Sequence, residues 1–418
     1  MSAPANRGDC RATASPGAAG PTTERIASLD VLRGFAILGI LIVNMQGFAR
    51  VFSAYMNPPS AGGFEGAEVW LWSFVYLFAD TKFISIFSML FGAGMAMMSD
   101  RMAARGTSGT GLHYRRQFWL LVIGLAHAYL IWHGDILVAY ALCGFILYPL
   151  RNLPPRRLLM IGGCAVAFLV PLWGLAGVSV PYWPAEELAV AVAEWDPPPE
   201  VQAAEIAAFR GTWAEQFRVR APVALTVQTT AFLFLFLWRA GGLMLVGMAL
   251  YRLGVLAASR SAVFYRRMAV IGLATGLPLA AAGVAYKLHH EFAFEKAMFQ
   301  GALFNYVGSV GVCLGYLALV MLAVQSGWLA GLQRRLAATG RMALTNYIAQ
   351  SVICTLIFYG HGLGLFERVG APGRLGIVVG IWVLQLLWSP WWLARYRFGP
   401  LEWVWRSLSY MERQPLRR

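Results

Sequence analysis

The chain has 418 residues, 58% of them hydrophobic and only 13% charged, with a formal net charge of +14. Such an apolar composition excludes a soluble globular enzyme. The positive charge is scattered over short loops and not gathered on one face or arm, which excludes a nucleic-acid-binding protein. A polytopic membrane protein remains, with 16 Trp and 16 Tyr available for interfacial belts.

Residues 1–24 are rich in Ala, Gly, Pro, Ser and Thr and lack the basic-then-apolar order of a signal peptide, so they read as a disordered cytoplasmic tail. About ten apolar runs follow, centred near residues 40, 84, 125, 143, 168, 238, 276, 312, 352 and 384. Each approaches the roughly 20 residues that a bilayer-spanning helix needs. The expected fold is therefore all-α, an integral membrane protein of about ten transmembrane helices.

The N-terminal membrane half, 25–178, holds about five of these runs. Its stretch 69–98 would be about 45 Å long as one helix and is interrupted by Asp80, Thr81 and Lys82, which predicts a single broken or tilted span. Between Arg116 and Arg151 only 34 residues must cross twice, so the turn His133-Gly134-Asp135 is placed beneath the outer surface. Segment 179–222 carries seven acidic residues against three Arg and reads as an external amphipathic cap. The C-terminal half, 223–412, opens with a span carrying Arg239 near its centre and ends in a basic, Trp-rich tail.

Orientation follows from the basic residues. Of 34 Lys and Arg, 24 fall in the tails and loops on the side of the N-terminus, 8 on the other side, and Lys82 and Arg239 inside spans. By the positive-inside rule both termini are cytoplasmic, in what is expected to be a bacterial inner membrane. Cys143, Cys164, Cys313 and Cys354 fall within spans, so no disulfide framework is readable; no zinc-ligand spacing occurs either, and no metal is expected.

Ionisable groups at membrane depth are costly and mark candidate sites. His133 with Asp135 is the leading acid-base pair, with His127 about two turns earlier in reserve. The structural alternative is a helix hairpin in which Asp135 caps the following span. Arg239 must meet a carboxylate such as Asp80 or Asp135, carbonyls or an anionic ligand. Asp80 and Lys82 are either a self-satisfied pair or a substrate site at a helix break. Asp30 and Arg33, three apart, can pair at the cytoplasmic mouth or hold an anionic head group. Asn346 and Gln350 share one helix face, as interhelical glue or as substrate-binding groups.

Several stretches carry a resemblance. Ser28 to Ile40, with Asn44 below it, is followed by Lys82-Phe83, Leu90 to Gly94, Gly134 to Leu137, Gly340 to Tyr347 and Gly399 to Trp403. In order and spacing these resemble YeiB-type bacterial membrane proteins over most of residues 25–412, the C-terminal part being similar to that family's domain of unknown function. Through Asp30, Arg33 and Gly34 the family is distantly similar to transmembrane acyltransferases. Their O-acetyltransferase branch commonly has its catalytic His eleven positions after the first-span Arg, where this chain has Asn44. The resemblance implies transfer of an acyl group, from cytoplasmic acyl-CoA as donor, to a small-molecule, lipid or glycan acceptor. A transporter or flippase of a small anionic or amphiphilic substrate, working at Asp80 and Arg239, is the alternative, and a non-catalytic scaffold is the third reading.

Overall fold

The computed structural model describes residues 26–418, which are built from helices and the turns between them. The expected disordered tail lies outside the described residues. Among those residues, seven helices are long and apolar enough to cross a membrane: Ala27–Ala49, Ala67–Ala103, Pro155–Tyr182, Trp213–Arg252, Ala262–His289, Glu295–Ser326 and Ala371–Arg395. Two shorter apolar helical stretches, Leu137–Asn152 and Ala343–Phe358, stand beside them. The chain is thus an all-α, polytopic membrane protein.

Helix α1 (Ala27–Ala49) is followed by α2 (Ala67–Phe78) and α3 (Lys82–Ala103). The last two are one span broken at Ala79-Asp80-Thr81, where Thr81 takes a left-handed conformation with φ 64°. Helix α4 (Thr110–Ala126) runs into a π-helical turn over His127–Ile131, and α5 (Leu137–Leu147) and α6 (Pro155–Ser179) follow. The acidic segment folds as α7 (Ala185–Trp195) and α8 (Pro199–Arg210). Helix α9 (Trp213–Thr226) then leads through a π-helical stretch into α10 (Leu237–Arg252), so the sixth apolar run starts about ten residues before the expected 223. A capping box at Thr212 and Glu215 sets that start. Helices α11 (Ala262–His289), α12 (Gly301–Ser326), α13 (Ala330–Arg341), α14 (Ala343–Phe358), α15 (Ala371–Arg395) and α16 (Pro400–Tyr410) complete the chain.

Apolar side chains gain little by leaving lipid for one another, so close backbone approach has to hold such helices together. Glycines supply it in reciprocal pairs. A Cβ on Gly92 of α3 would lie 1.9 Å from the Met244 carbonyl oxygen of α10, and one on Gly247 would lie 1.9 Å from that of Met89. Gly272 and Gly276 of α11 face Gly311 and Gly308 of α12 in the same way. The third pair involves residues 326–342, which lie between the apolar runs of the sequence. They form α13, whose Gly340 meets the Asp30 carbonyl while Gly34 of α1 meets that of Leu336.

The basic loops gather at one end of the bundle, where Ser28 donates to the Leu256 carbonyl, Arg151 to Ser99, Arg252 pairs with Asp100, and Trp405 donates to the Arg116 carbonyl. At the other end α7 and α8 cover the connection after α1. Asn57 donates to the Trp195 carbonyl at 3.1 Å, and Gln202 to that of Ser60 at 2.9 Å. Two carboxylates clamp the end of α1: Glu367 accepts from the Val51 amide at 2.8 Å and from Arg50, and Glu205 of α8 accepts from the Phe52 amide at 3.0 Å.

Burial, reinforced by the Glu367 charge and opposed by the Phe52 amide, pushes the Glu205 carboxyl up to about 7. Between its ordinary value near 4.5 and about 7 the folded protein holds a proton that the unfolded chain has lost, so this group's contribution to stability falls as pH rises through that window. The Glu205→Gln variant keeps the acceptor oxygen for Phe52 and removes the titration. In detergent its thermal midpoint is expected to gain on the wild type as pH rises from 5 to 8; a constant difference across that range would contradict the assignment.

Candidate functional site

Helix α5 begins one residue after the turn Trp132 to Ile136, and its first amides need acceptors. Asp135 Oδ1 accepts from the Val138 amide at 2.8 Å, and a helix N-terminus is where a carboxylate is most favourably placed. The other oxygen, Oδ2, lies 2.7 Å from His127 Nδ1. On its far side His127 Nε2 is 2.9 Å from Ser351 Oγ of α14. With the carboxylate accepting, Nδ1 carries the proton, Nε2 offers its lone pair, and Ser351 donates. All three residues are buried. The chain Asp135, His127, Ser351 therefore joins α4, α5 and α14, and it starts at the π-helical turn, a local irregularity that frequently accompanies functional sites.

The expected pairing of His133 with Asp135 is not formed. The chain bends at His133 and sends its imidazole toward the covered end of the bundle, edge-on to Phe52 with centroids 4.5 Å apart, beside Trp132 and Phe209. Its Nδ1 has no partner among the described residues. Asp135 faces inward, so the reserve histidine, His127, is the one that meets it. Tyr347, whose hydroxyl donates to the Gly134 carbonyl at 3.2 Å, holds that turn against α14.

Asp80, Lys82 and Arg239 form a second polar centre. Lys82, fully buried, donates to the Tyr76 carbonyl and to Asn305 Oδ1, and Asn305 Nδ2 donates to Asp80 at 2.8 Å. Asn305 of α12 thus stands between acid and base and satisfies the backbone break. Among the described residues Arg239 meets neither Asp80 nor Asp135, the carboxylates considered for it; of the expected partners it takes a carbonyl, joined by two hydroxyls. Those acids are turned to Asn305 and His127. The guanidinium donates to the Tyr306 carbonyl (2.9 Å), Ser309 (2.6 Å) and Ser85 (3.2 Å), and lies 4.3 Å over the Tyr306 ring. A narrow cavity of about 40 Å³, lined by Gln46, Arg50, Glu68, Tyr76 and Asp80 among others, reaches down to this centre. A cavity of that volume has room for a few waters.

The remaining expected site residues lie apart from both centres. Asp30 and Arg33 pair at 3.2 Å at the start of α1. Asn44 is half-buried on α1, and its side chain makes no hydrogen bond to the described residues. Asn346 and Gln350 knit helices together. Asn346 donates to the Thr339 carbonyl and Ser389 and accepts from Trp388; Gln350 donates to the Ile37 carbonyl and to Gln385. Residue-by-residue reasoning missed Ser351, Asn305, Ser85 and Ser309. Their only signal is a small polar side chain in an apolar run, which does not tell which distant residue it meets.

Removing the Arg239 guanidinium orphans two hydroxyls and a carbonyl in the bundle centre, and hydrogen bonds to a charged group contribute about 1.5–3 kcal/mol each. Arg239→Gln is expected to lower folded yield and the thermal midpoint in detergent, with Arg239→Lys intermediate because it keeps the charge and loses the fork. Wild-type yield and midpoint in Arg239→Gln would refute this structural role.

The whole arrangement has relatives. The chain is 31% identical to the uncharacterized protein YeiB of Escherichia coli (strain K12), in an alignment covering 92% of this chain and 96% of that protein. It is 32% identical to the uncharacterized protein YxaH of Bacillus subtilis (strain 168), covering 94% and 96% respectively. Residues 250–412 match a family model described as a protein of unknown function, DUF418. With this identity over more than nine-tenths of its length, the chain belongs to the YeiB-type family of membrane proteins.

Proposed function

We propose that this protein is an acyltransferase of the bacterial inner membrane, in which His127, oriented by Asp135, takes the proton from the attacking group. One observation carries the reading: a buried imidazole with one ring nitrogen on a carboxylate and the other on a hydroxyl, the arrangement of a general base with its orienting group. Imidazole is the side chain suited to take up and release a proton near neutral pH. The donor class is a cytoplasmic acyl-CoA thioester, and the acceptor is a hydroxyl or amine of a small molecule, lipid or glycan. Transport at the Asp80 break is the weaker reading, because Lys82 and Arg239 are already occupied by protein acceptors.

The proposed orientation puts both termini and the basic end in the cytoplasm, and α7 and α8 outside. Thr110–Ile131, Leu137–Asn152 and Ala343–Phe358 then complete ten crossings. In a chain stripped of its native cysteines, Ala203→Cys is expected to react with a membrane-impermeant maleimide in intact cells and Ser108→Cys only after permeabilisation. The reverse pattern would overturn the orientation.

For the chemistry, His127→Gln keeps hydrogen-bonding capacity and cannot accept the proton. It is expected to slow acyl transfer in membrane vesicles on the order of a hundredfold or more at unchanged protein level, and Asp135→Asn to act in the same direction. His133→Gln should leave turnover within about twofold of wild type, since that ring is not in the chain of proton partners. Full turnover in His127→Gln would end the acyltransferase assignment.

A further inference from the structure

A serine in a helix interior ordinarily returns its hydroxyl hydrogen to the carbonyl four residues back. Here Ser85, Ser88, Thr229, Thr275 and Ser409 do so at 2.5 to 2.8 Å. Ser351 departs from them. Its own carbonyl acceptor, that of Tyr347, is 3.4 Å away, whereas His127 Nε2 is at 2.9 Å. The base is thus the nearer of the two partners of this hydroxyl, and the carbonyl of its own helix the farther.

The consequence for reactivity follows from occupancy. Both imidazole nitrogens are engaged, and His127 and Ser351 are each only 1% exposed. While the Ser351 hydroxyl holds Nε2, no acceptor molecule can give its proton to that nitrogen; once Ser351 is esterified, Nε2 is free. With Ser351 in place, the first group His127 can activate is Ser351 itself.

We propose that Ser351 is the nucleophile of this protein and carries the acyl group as an ester between donor and acceptor. The proposal rests on the reading of His127 as base. In the first half-reaction Ser351 Oγ attacks the thioester carbonyl carbon while its proton passes to Nε2, and Asp135 holds the resulting imidazolium. The tetrahedral adduct collapses, the C–S bond breaks, and the thiolate leaves with the proton from Nε2 as a free thiol. In the second, His127 takes the proton of the acceptor hydroxyl or amine, whose oxygen or nitrogen attacks the Ser351 ester. The bond to Ser351 Oγ breaks and that oxygen recovers the proton. Donor and acceptor never share the site, so they can arrive in turn.

The test uses the full-length protein in detergent and an alkyl fluorophosphonate, which phosphonylates an activated serine with loss of fluoride whatever the natural donor is. Peptide mass spectrometry is expected to find the adduct on Ser351, absent in Ser351→Ala and formed on the order of a hundredfold more slowly in His127→Gln. With radiolabelled acetyl-CoA and longer acyl-CoAs, Ser351→Cys is expected to trap an acyl-protein that neutral hydroxylamine cleaves. Ser351→Ala should fold normally, since it removes one hydroxyl, and lose transfer. No adduct on wild-type Ser351, or full transfer in Ser351→Ala, overturns the nucleophile. If His127→Gln is then still inactive, the base survives; if it too is active, both readings fall together.

Discussion

Inside a bilayer a polar group that finds no partner in the protein finds none at all, and this requirement organises the molecule. It is most visible at the break between α2 and α3. Interrupting a helix at membrane depth frees backbone carbonyls, and Lys82 turns back onto that of Tyr76 while Asn305 bridges it to Asp80. The two terminal nitrogens of Arg239 meet the same demand on the neighbouring face through Ser85, Ser309 and the Tyr306 carbonyl. These contacts lock α3, α10 and α12 in one register. The reciprocal glycine crossings make that register possible, because any side chain at Gly92 or Gly247 would push backbone away.

The same demand explains why His127 stands where it does. The hairpin between α4 and α5 is short, so its turn lies close to the bundle interior and Asp135 has no water to face. Helix α5 supplies one donor to it and His127 the other. Interhelical polar contacts of this kind are worth little individually in membranes, around 0.6 kcal/mol on average, so stability alone gives weak reason to bury a carboxylate and an imidazole there. A proton-handling role gives a stronger one. By contrast the side-chain nitrogens of Asn346 and Gln350 go to carbonyl and amide oxygens of three neighbouring helices, which is what structural glue looks like.

Much of the architecture was legible from the runs of apolar residues: the helical class and the break at Asp80 to Lys82. Helix α13 was not. Its small and basic residues carry no span signal, and only its seat against Gly34 shows why it is helical and partly buried. At the site, Asp135 was legible as a cap and His127 as a reserve, but their pairing was not, since His133 is nearer to Asp135 along the chain. Sequence distance misleads at a tight turn, where a bend of the backbone decides which side each residue faces.

What the sequence by itself determined is the solvent this protein lives in and the number and length of its apolar runs, because hydrophobicity is local and additive along the chain. It also marked which residues are too costly at membrane depth to be incidental. Only the tertiary structure decided who meets whom. Asn305 reaches Lys82 across 223 positions and Ser351 reaches His127 across 224. Such pairs depend on helix rotation and crossing angle, which are set by the summed packing of all neighbours and leave no trace in the spacing of any one helix.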